Sequence, residues 1–290
     1  MTASKLGVAV LGVIGGSGLY QMPGLTAMEP LTASTPFGEA SDGIVRGRLG
    51  DTPVVFLPRH GRAHSHSPST LNYRANIYAL KSLGVTHVLS VSAVGSLREE
   101  IAPGDLVVPH QFIDRTTRRV GTFFDRDVVA HVSMADPVCP FMAAAVASAA
   151  RATGASTHVG QTYVCIEGPR FSTRAESRMF RQWGADIIGM TNVPEAFLAR
   201  EAGLPYATLA LATDYDSWRE QDEAHVDEII AVMTKNVARA QAVVAGLAAA
   251  LPDVGASPEQ GATKHAVMTR WEVVPAEARA RYALLLGDRG

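Results

Sequence analysis

The sequence predicts an α/β protein of three layers, with a central mixed, largely parallel sheet flanked by helices. Two observations predict it. Short apolar runs rich in β-branched residues alternate with stretches whose apolar residues recur at helical spacing, which is the pattern of a mostly parallel sheet covered on both faces. Aromatic residues make up only 7% of the 290 residues while Ala, Val and Leu are abundant, so helices can pack closely on the sheet. No internal repeat, low-complexity tract or linker divides the chain, and residues 1–290 are expected to form one domain, with 252–290 as a C-terminal loop and helix that docks on a neighbouring subunit.

Taken in order, Leu6–Ile14 reads as a buried first strand running into Gly15-Gly16-Ser17-Gly18. Lys5 followed by this apolar run loosely resembles a signal peptide, but the run is short and interrupted by glycine. Ile44–Leu49 and Val54–Leu57 read as strands joined around Gly50-Asp51. Leu71–Leu83 has helical spacing and ends at Gly84, a C-terminal cap. Val85–Val91 and Asp105–Phe112 read as strands, Pro140–Ala152 as a helix closing at Gly154, and His158–Ile166 as a strand. Thr173–Trp183 is a helix, Ala185–Met190 a short strand, Pro194–Ala202 a helix with its proline early, and Tyr206–Ala212 a strand. Val226–Leu251 is a long amphipathic helix, 252–261 a loop and Pro275–Leu286 a last helix.

Composition excludes several functions. A net charge of −2 offers no basic field for nucleic acid or anionic lipid. No apolar stretch reaches the roughly 20 residues of a membrane helix. Cys139 and Cys165 stand in unlike contexts and read as free thiols of a reducing cytoplasm.

Chemistry gathers where apolar strands end, which is where parallel sheets bind ligands. Gly15-Gly16-Ser17-Gly18 can turn backbone N–H groups inward around an anion, or can simply be a tight turn. It lacks the third glycine of a dinucleotide fingerprint and the lysine of a triphosphate loop. Pro58-Arg59-His60-Gly61 follows a strand, so Arg59 can grip an oxyanion with two N–H groups and His60 can add a third donor. His64 and His66 invite a zinc reading, but no recognisable ligand spacing accompanies them. Ser92-Ala93-Val94-Gly95-Ser96 is small enough for a ligand to lie against the backbone. In Glu167-Gly168-Pro169-Arg170-Phe171-Ser172, Phe171 can stack on a planar base, although from composition alone a core role for Phe171 and an Arg170–Glu167 pair is the stronger reading. Met190-Thr191-Asn192 closes another strand. Thr213-Asp214-Tyr215-Asp216 follows a fully apolar strand, and extended geometry would point both carboxylates the same way, towards the edge of a purine, a metal or a helix N-terminus.

Taken together, the segments 12–18, 58–61, 72–76 (Asn-Tyr-Arg-Ala-Asn), 95–100, 111–116 (Gln-Phe-Ile-Asp-Arg-Thr), 134–137, 167–172, 174–177 and 212–216 resemble the trimeric purine nucleoside phosphorylase family. The likeness runs from about Gly12 to Leu251 and is greatest to the members that act on 5′-methylthioadenosine. The resemblance implies a phosphorylase-type fold, a cytoplasmic homotrimer, no cofactor besides inorganic phosphate as co-substrate, and no metal. It implies phosphorolysis of 5′-methylthioadenosine to adenine and 5-methylthioribose 1-phosphate. Alternatives are a purine nucleoside or methylthioinosine phosphorylase and a non-catalytic nucleoside-binding module.

Residue by residue, the resemblance implies that Ser17, Arg59, His60, Ser92, Ala93 and Thr191 hold phosphate, Met190 lies against the ribose and Phe171 packs on the base. Asp214 and Asp216 face the purine edge as the catalytic pair, and His131 reaches into the neighbouring subunit's pocket. Val226 and Ile229 line the 5′ end, unless His225 faces it instead and favours a 5′-hydroxyl. The family often has threonine at the position of Ser17, and serine keeps the hydroxyl.

Overall fold

A computed structural model describes residues 8–219 and 226–287 of the chain. The strands are β1 (Leu11–Gly15), β2 (Leu25–Leu31), β3 (Ile44–Leu49), β4 (Thr52–Pro58), β5 (His87–Ser96), β6 (Leu106–Val108), β7 (Gln111–Arg115), β8 (Thr157–Val159), β9 (Thr162–Ile166), β10 (Ile187–Gly189) and β11 (Tyr206–Asp214). The helices are α1 (Tyr73–Ser82), α2 (Pro140–Ala152), α3 (Arg174–Gln182), α4 (Asn192–Glu201), α5 (Val226–Ala249) and α6 (Ala276–Leu286).

One mixed sheet joins all the strands. Along its main path the order is β2-β3-β4-β1-β5-β10-β9-β7, and β11, β6 and β8 branch from β5. The ladders around the centre, β1 with β4, β1 with β5 and β11 with β5, are parallel. The antiparallel ones include the β2-β3-β4 meander and the contact of β10 with the tip of β5. β5 is the branch point: Val88–Val94 pair with β11, and Gly95 and Ser96 pair with β10.

Alternation along the buried strands sorts the side chains between the two faces. Leu11, Val13, Val54 and Phe56 join α2 and α5 in one apolar cluster, and Ile14, Val55 and Leu57 join α1, α4 and α6 in another. Helix ends follow local chemistry. The Asn72 side chain accepts from the Ala75 N–H at the start of α1, and Gly84 follows its end at φ +80°. Thr173 and Glu176 form a capping box on α3.

The expected strand at 105–112 is two strands, β6 and β7, and the one at 158–166 is likewise β8 and β9. Pro109 has no N–H for a ladder, and Gly160 sits at φ +96°. The two breaks lie side by side, with Gly160 N–H on the Val108 carbonyl (3.0 Å) and His110 N–H on the Gln161 carbonyl (2.9 Å). There the chain passes from one branch of the sheet to the other. β2 was not expected from the sequence, because it is a largely exposed edge strand carrying Glu29 and Pro30 and shows no apolar face. α6 buries Ala278, Tyr282, Leu285 and Leu286 in its own chain's core.

The Tyr282 ring is fully buried and its hydroxyl donates to the Arg126 carbonyl at 2.8 Å. Tyr282→Ala is expected to destabilise the protein by about 3–5 kcal/mol, as loss of a buried aromatic ring does. A denaturation midpoint unchanged from wild type would show that the tail is peripheral to the fold.

Candidate active site

The loops that follow β1, β4, β5, β9, β10 and β11 converge on a cavity of about 750 Å³. Gly16, Gly18 and Leu19 form part of its wall beside Arg59, His60 and Ser92–Gly95. The Arg59 N–H donates to the Gly15 carbonyl at 3.0 Å and so ties the loop after β4 to the end of β1. From the α5 side, Val237 and Ala240 close the cavity.

Arg59 lies in this wall, but its fork is already engaged. It is 3% exposed and pairs in bidentate fashion with Glu195, Nε to Oε2 at 2.8 Å and Nη2 to Oε1 at 3.0 Å. Nη2 also donates to Ser90 Oγ at 2.6 Å, and Nη1 to the Val91 carbonyl at 3.0 Å. Of the guanidinium's N–H groups only one, on Nη1, is left without an acceptor among the described residues. The expectation that Arg59 grips an oxyanion with two N–H groups is therefore corrected. Burial alone would lower the Arg59 pKa, and the Glu195 carboxylate more than offsets this and holds it above its ordinary value. Glu195 also accepts from the Tyr206 hydroxyl at 3.0 Å. The expected-site residues did not include Glu195, yet one acid in an otherwise apolar helix start, Val193-Pro194-Glu195-Ala196-Phe197, was its visible signal.

His60 is corrected too. Its Nδ1 lies 2.9 Å from the His66 carbonyl, so that nitrogen carries the proton and donates. Burial, then the Arg59 charge, push the ring down to about 4, so the neutral form presents Nε2 as an acceptor rather than a donor. The His60 ring stacks on His64 with centroids 4.5 Å apart. Ser92 lines the cavity with its hydroxyl donating to Asn192 Oδ1 at 3.0 Å, which leaves it no proton for an anion in this arrangement. Asn192 in turn donates to the hydroxyls of Tyr206 (2.9 Å) and Thr208. Thr191 stands at the N-cap of α4, yet its hydroxyl makes no cap bond, and the residue lines the cavity with Ala93 and Met190.

Farther along β5, the wall changes character. β11 is bulged between Ala212 and Asp214, which brings Asp214 opposite Gly95. A Cβ on Gly95 would lie 3.0 Å from Ile188 Cγ2, 3.1 Å from Asp216 Cβ and 3.2 Å from Asp214 Oδ2, a tight fit, so glycine here eases the approach of the two acids to the strand. The acids do not share a side through extended alternation, since β11 ends at Asp214 and Asp216 sits in a turn. Trp218 Nε1 on the Ser96 carbonyl (2.8 Å) and Ser217 Oγ on the Ser172 carbonyl (3.0 Å) pin that turn. Burial pushes the Asp214 carboxyl up to about 6; the Thr213 hydroxyl, donating at 2.7 Å, opposes the shift and the Asp216 charge adds to it. Asp216 is raised as well, by burial first, with the Ser177 hydroxyl and the Ser217 N–H opposing the shift.

Phe171 is 40% exposed at the cavity and does not plug the core. Arg170 pairs with Glu176 at 2.7 Å, not with Glu167. Glu167 instead accepts from Ser69 and from the Thr117 and Arg118 N–H groups, which hold its carboxyl down at about 2 against the effect of burial. Arg119, unremarked in the sequence, donates to the Val193 carbonyl at 2.6 Å and to the Glu167 carbonyl at 2.7 Å. It thereby locks the segment after Thr191 to the strand end that leads to Phe171.

Not every expected residue meets here. His131 is exposed, bonded through its N–H to the Ala266 carbonyl at 2.8 Å, and does not line this cavity. The side chains of Ser17, Val226 and Ile229, and all of His225, lie outside the described residues. Among the described residues no group of three or more His, Cys, Asp or Glu is placed to hold a metal ion, and no helix is long and apolar enough to cross a membrane.

One cavity at the strand ends thus holds Arg59, His60 and Ser92 on one wall and the acids Asp214 and Asp216 on another. The chain belongs to the phosphorylase superfamily, whose family model matches residues 10–249. Within it, the chain is 51% identical to an S-methyl-5′-thioadenosine phosphorylase of Geobacter sulfurreducens, over 96% of this chain and 98% of that protein. It is 55% identical to the enzyme of that name from Hyperthermus butylicus, over 84% and 89% of the two chains. A methylthioadenosine phosphorylase structure sourced from an antarctic soil metagenomic library superposes with a TM-score of 0.91 at 49% identity, covering 96% of this chain and 99% of that one. A mutant of the Schistosoma mansoni adenosine/methylthioadenosine phosphorylase, solved with methylthioadenosine, superposes with a TM-score of 0.78 at 36% identity, covering 96% and 98%.

Asp214 makes stability depend on pH in a defined direction. Its carboxyl is about 6 when folded against the ordinary 3.8, so between these values the native state holds a proton that the unfolded chain has lost. This contribution to stability is full below about 4 and is lost as pH rises through about 6. Asp214→Asn, which has no charge to bury, is therefore expected to gain stability over wild type across pH 4–6, reaching about 3 kcal/mol and staying level above. Parallel denaturation curves from pH 4.5 to 8 test this, and a difference that does not grow with pH would mean that the carboxylate is solvated.

Proposed function

We propose that this protein catalyses the phosphorolysis of 5′-methylthioadenosine to adenine and 5-methylthioribose 1-phosphate. The observation that carries the reading is that one cavity holds both ends of a nucleoside site along a single strand. Ser92 stands near the Arg59 end and Gly95 faces Asp214, a separation of about 10 Å at about 3.3 Å per residue. That length suits a purine nucleoside with phosphate beneath its sugar.

In this reading phosphate sits against the glycine loop, Ala93, Thr191 and the free Nη1 proton of Arg59. His60 Nε2 accepts the P–OH proton of the phosphate. Phe171 packs on the base and Met190 on the ribose. As the bond between sugar and base stretches, the sugar gains oxocarbenium character and the phosphate charge stabilises it before attacking C1′. The adenine gathers negative charge, and a protonated Asp214 donates to N7 to disperse it. The elevated pKa of Asp214 supports that role. Asp216 accepts from the 6-amino group, whereas a 6-oxo base would bring lone pairs against the carboxylate.

The reading extends to a single-domain cytoplasmic homotrimer that takes inorganic phosphate and no cofactor, serving purine and methionine salvage. Support for a multimer comes from exposed apolar side chains near His131, with Val129 and Met268 at 47% and 65% exposure. A neighbouring subunit would then receive His131, and Val226 and Ile229 would line the 5′ end.

The test is phosphate-dependent base release from methylthioadenosine, adenosine, methylthioinosine and inosine in parallel. Fast release from methylthioadenosine is expected, with the two 6-oxo substrates poor. Asp214→Asn is expected to fold and to lose about 10²–10³-fold in kcat, as enzymes do on losing one oxyanion donor. A preference for inosine, or full activity of Asp214→Asn, would overturn the assignment of the acids.

A further inference from the structure

Arg59 is the one Lys or Arg among the described residues that line the cavity. Its charge is matched at contact distance, since Glu195 is 1% exposed and binds Nε and Nη2 in bidentate fashion. The geometry points to Glu195 as a positioning residue that sets the charge of the phosphate site: by neutralising Arg59 it leaves a pocket that binds phosphate through hydrogen bonds without net positive charge. The inference rests on the proposed placement of phosphate beside Arg59.

The chemical consequence follows from Coulomb's law in a poorly solvated cavity. An uncompensated guanidinium beneath the sugar would attract phosphate strongly in the ground state. It would also repel the cationic sugar of the transition state and draw down the charge on the nucleophile. A matched Arg59–Glu195 pair avoids both effects, while one Nη1 proton still orients the anion. The surrounding bonds hold this state in place. Tyr206 donates to Glu195 Oε1 at 3.0 Å, Arg59 donates to Ser90 Oγ at 2.6 Å and to the Val91 carbonyl at 3.0 Å, and Asn192 donates to Tyr206 at 2.9 Å. Neither partner has room to turn away from the other without orphaning buried polar atoms.

The experiment compares wild type, Glu195→Gln and Glu195→Asp in two measurements: calorimetric binding of inorganic phosphate alone, and steady-state kinetics with methylthioadenosine. Glu195→Gln is expected to bind phosphate roughly tenfold more tightly and to turn over roughly tenfold more slowly, so that KM for phosphate and kcat fall together. Glu195→Asp keeps the charge and is expected to restore phosphate affinity to within about threefold of wild type. Weaker phosphate binding by Glu195→Gln would overturn the inference, because it would mean that Glu195 serves only to hold the fork in place. Wild type alone supplies a second check should the glutamine variant not fold. Chloride at about 0.3 M is expected to weaken phosphate binding by less than twofold, and severalfold competition would reveal a net cationic site and overturn the proposal. Wild type that binds no phosphate and releases base without it would instead sink the functional reading itself.

Discussion

The hydrogen bonding of β5 to three neighbours is the constraint on which the rest of the site depends. Its first half is held between β1 and β11, and its tip is taken over by β10. Because β1 ends beside Ser90, the glycine turn and Arg59 are delivered to one stretch of β5. Because β11 bulges one residue before Asp214, the acids are delivered to another. The spacing of the two groups is thus set by backbone register, which shifts only in whole residues, and not by flexible side chains. β10 then brings Met190 and Thr191 to the same wall from the opposite direction. A single branched strand therefore acts as the ruler of the cavity.

The two ends of that ruler are electrostatically unlike. Near Arg59 the buried polar groups are paired with one another: Arg59 with Glu195, Glu195 with Tyr206, Tyr206 and Thr208 with Asn192, and Asn192 with Ser92. Such a closed network is rigid because moving any member strands another. Near Asp214 the reverse holds. Two carboxyls share a poorly solvated wall, both pushed upward by burial and opposed only by short donors, the Thr213 hydroxyl on Asp214 and the Ser177 hydroxyl and Ser217 N–H at Asp216, and Ser172 Oγ has no partner among the described residues.

Much of this was legible in the chain order of motifs, and the illegible part has a physical cause. Loops after apolar strands could be named as ligand-bearing because parallel topology puts strand ends on one edge. Arg59, Thr191, Phe171 and Asp214, all at or beyond such strand ends, line the cavity. What their polar atoms bond to could not be found that way. Glu195 is 136 residues from Arg59, and Asn192 is 100 from Ser92, so the partners that use up those donors are matters of tertiary packing. The tautomer of His60 depends on the carbonyl of His66 across a turn. The single strands expected at 105–112 and 158–166 failed for a related reason. Each half is apolar enough to be a strand, and only the pairing shows that Pro109 and Gly160 mark a change of neighbours.

The contrast between the two ends bears on how a base would be chosen. An unpartnered buried acceptor carries a desolvation cost that a ligand donor can relieve, while a ligand acceptor placed there adds repulsion. Discrimination of this kind is larger than that from shape alone, because the wrong ligand leaves the protein's own groups unsatisfied. At the paired end no such reserve exists, so an anion bound there, as proposed, would gain orientation more than attraction. On the proposed placement of substrate, affinity and selectivity separate along β5: the wall at Arg59 would fix where the nucleophile stands, and the buried wall at Asp214, which closes on the strand beside Gly95, would decide which leaving group can be stabilised.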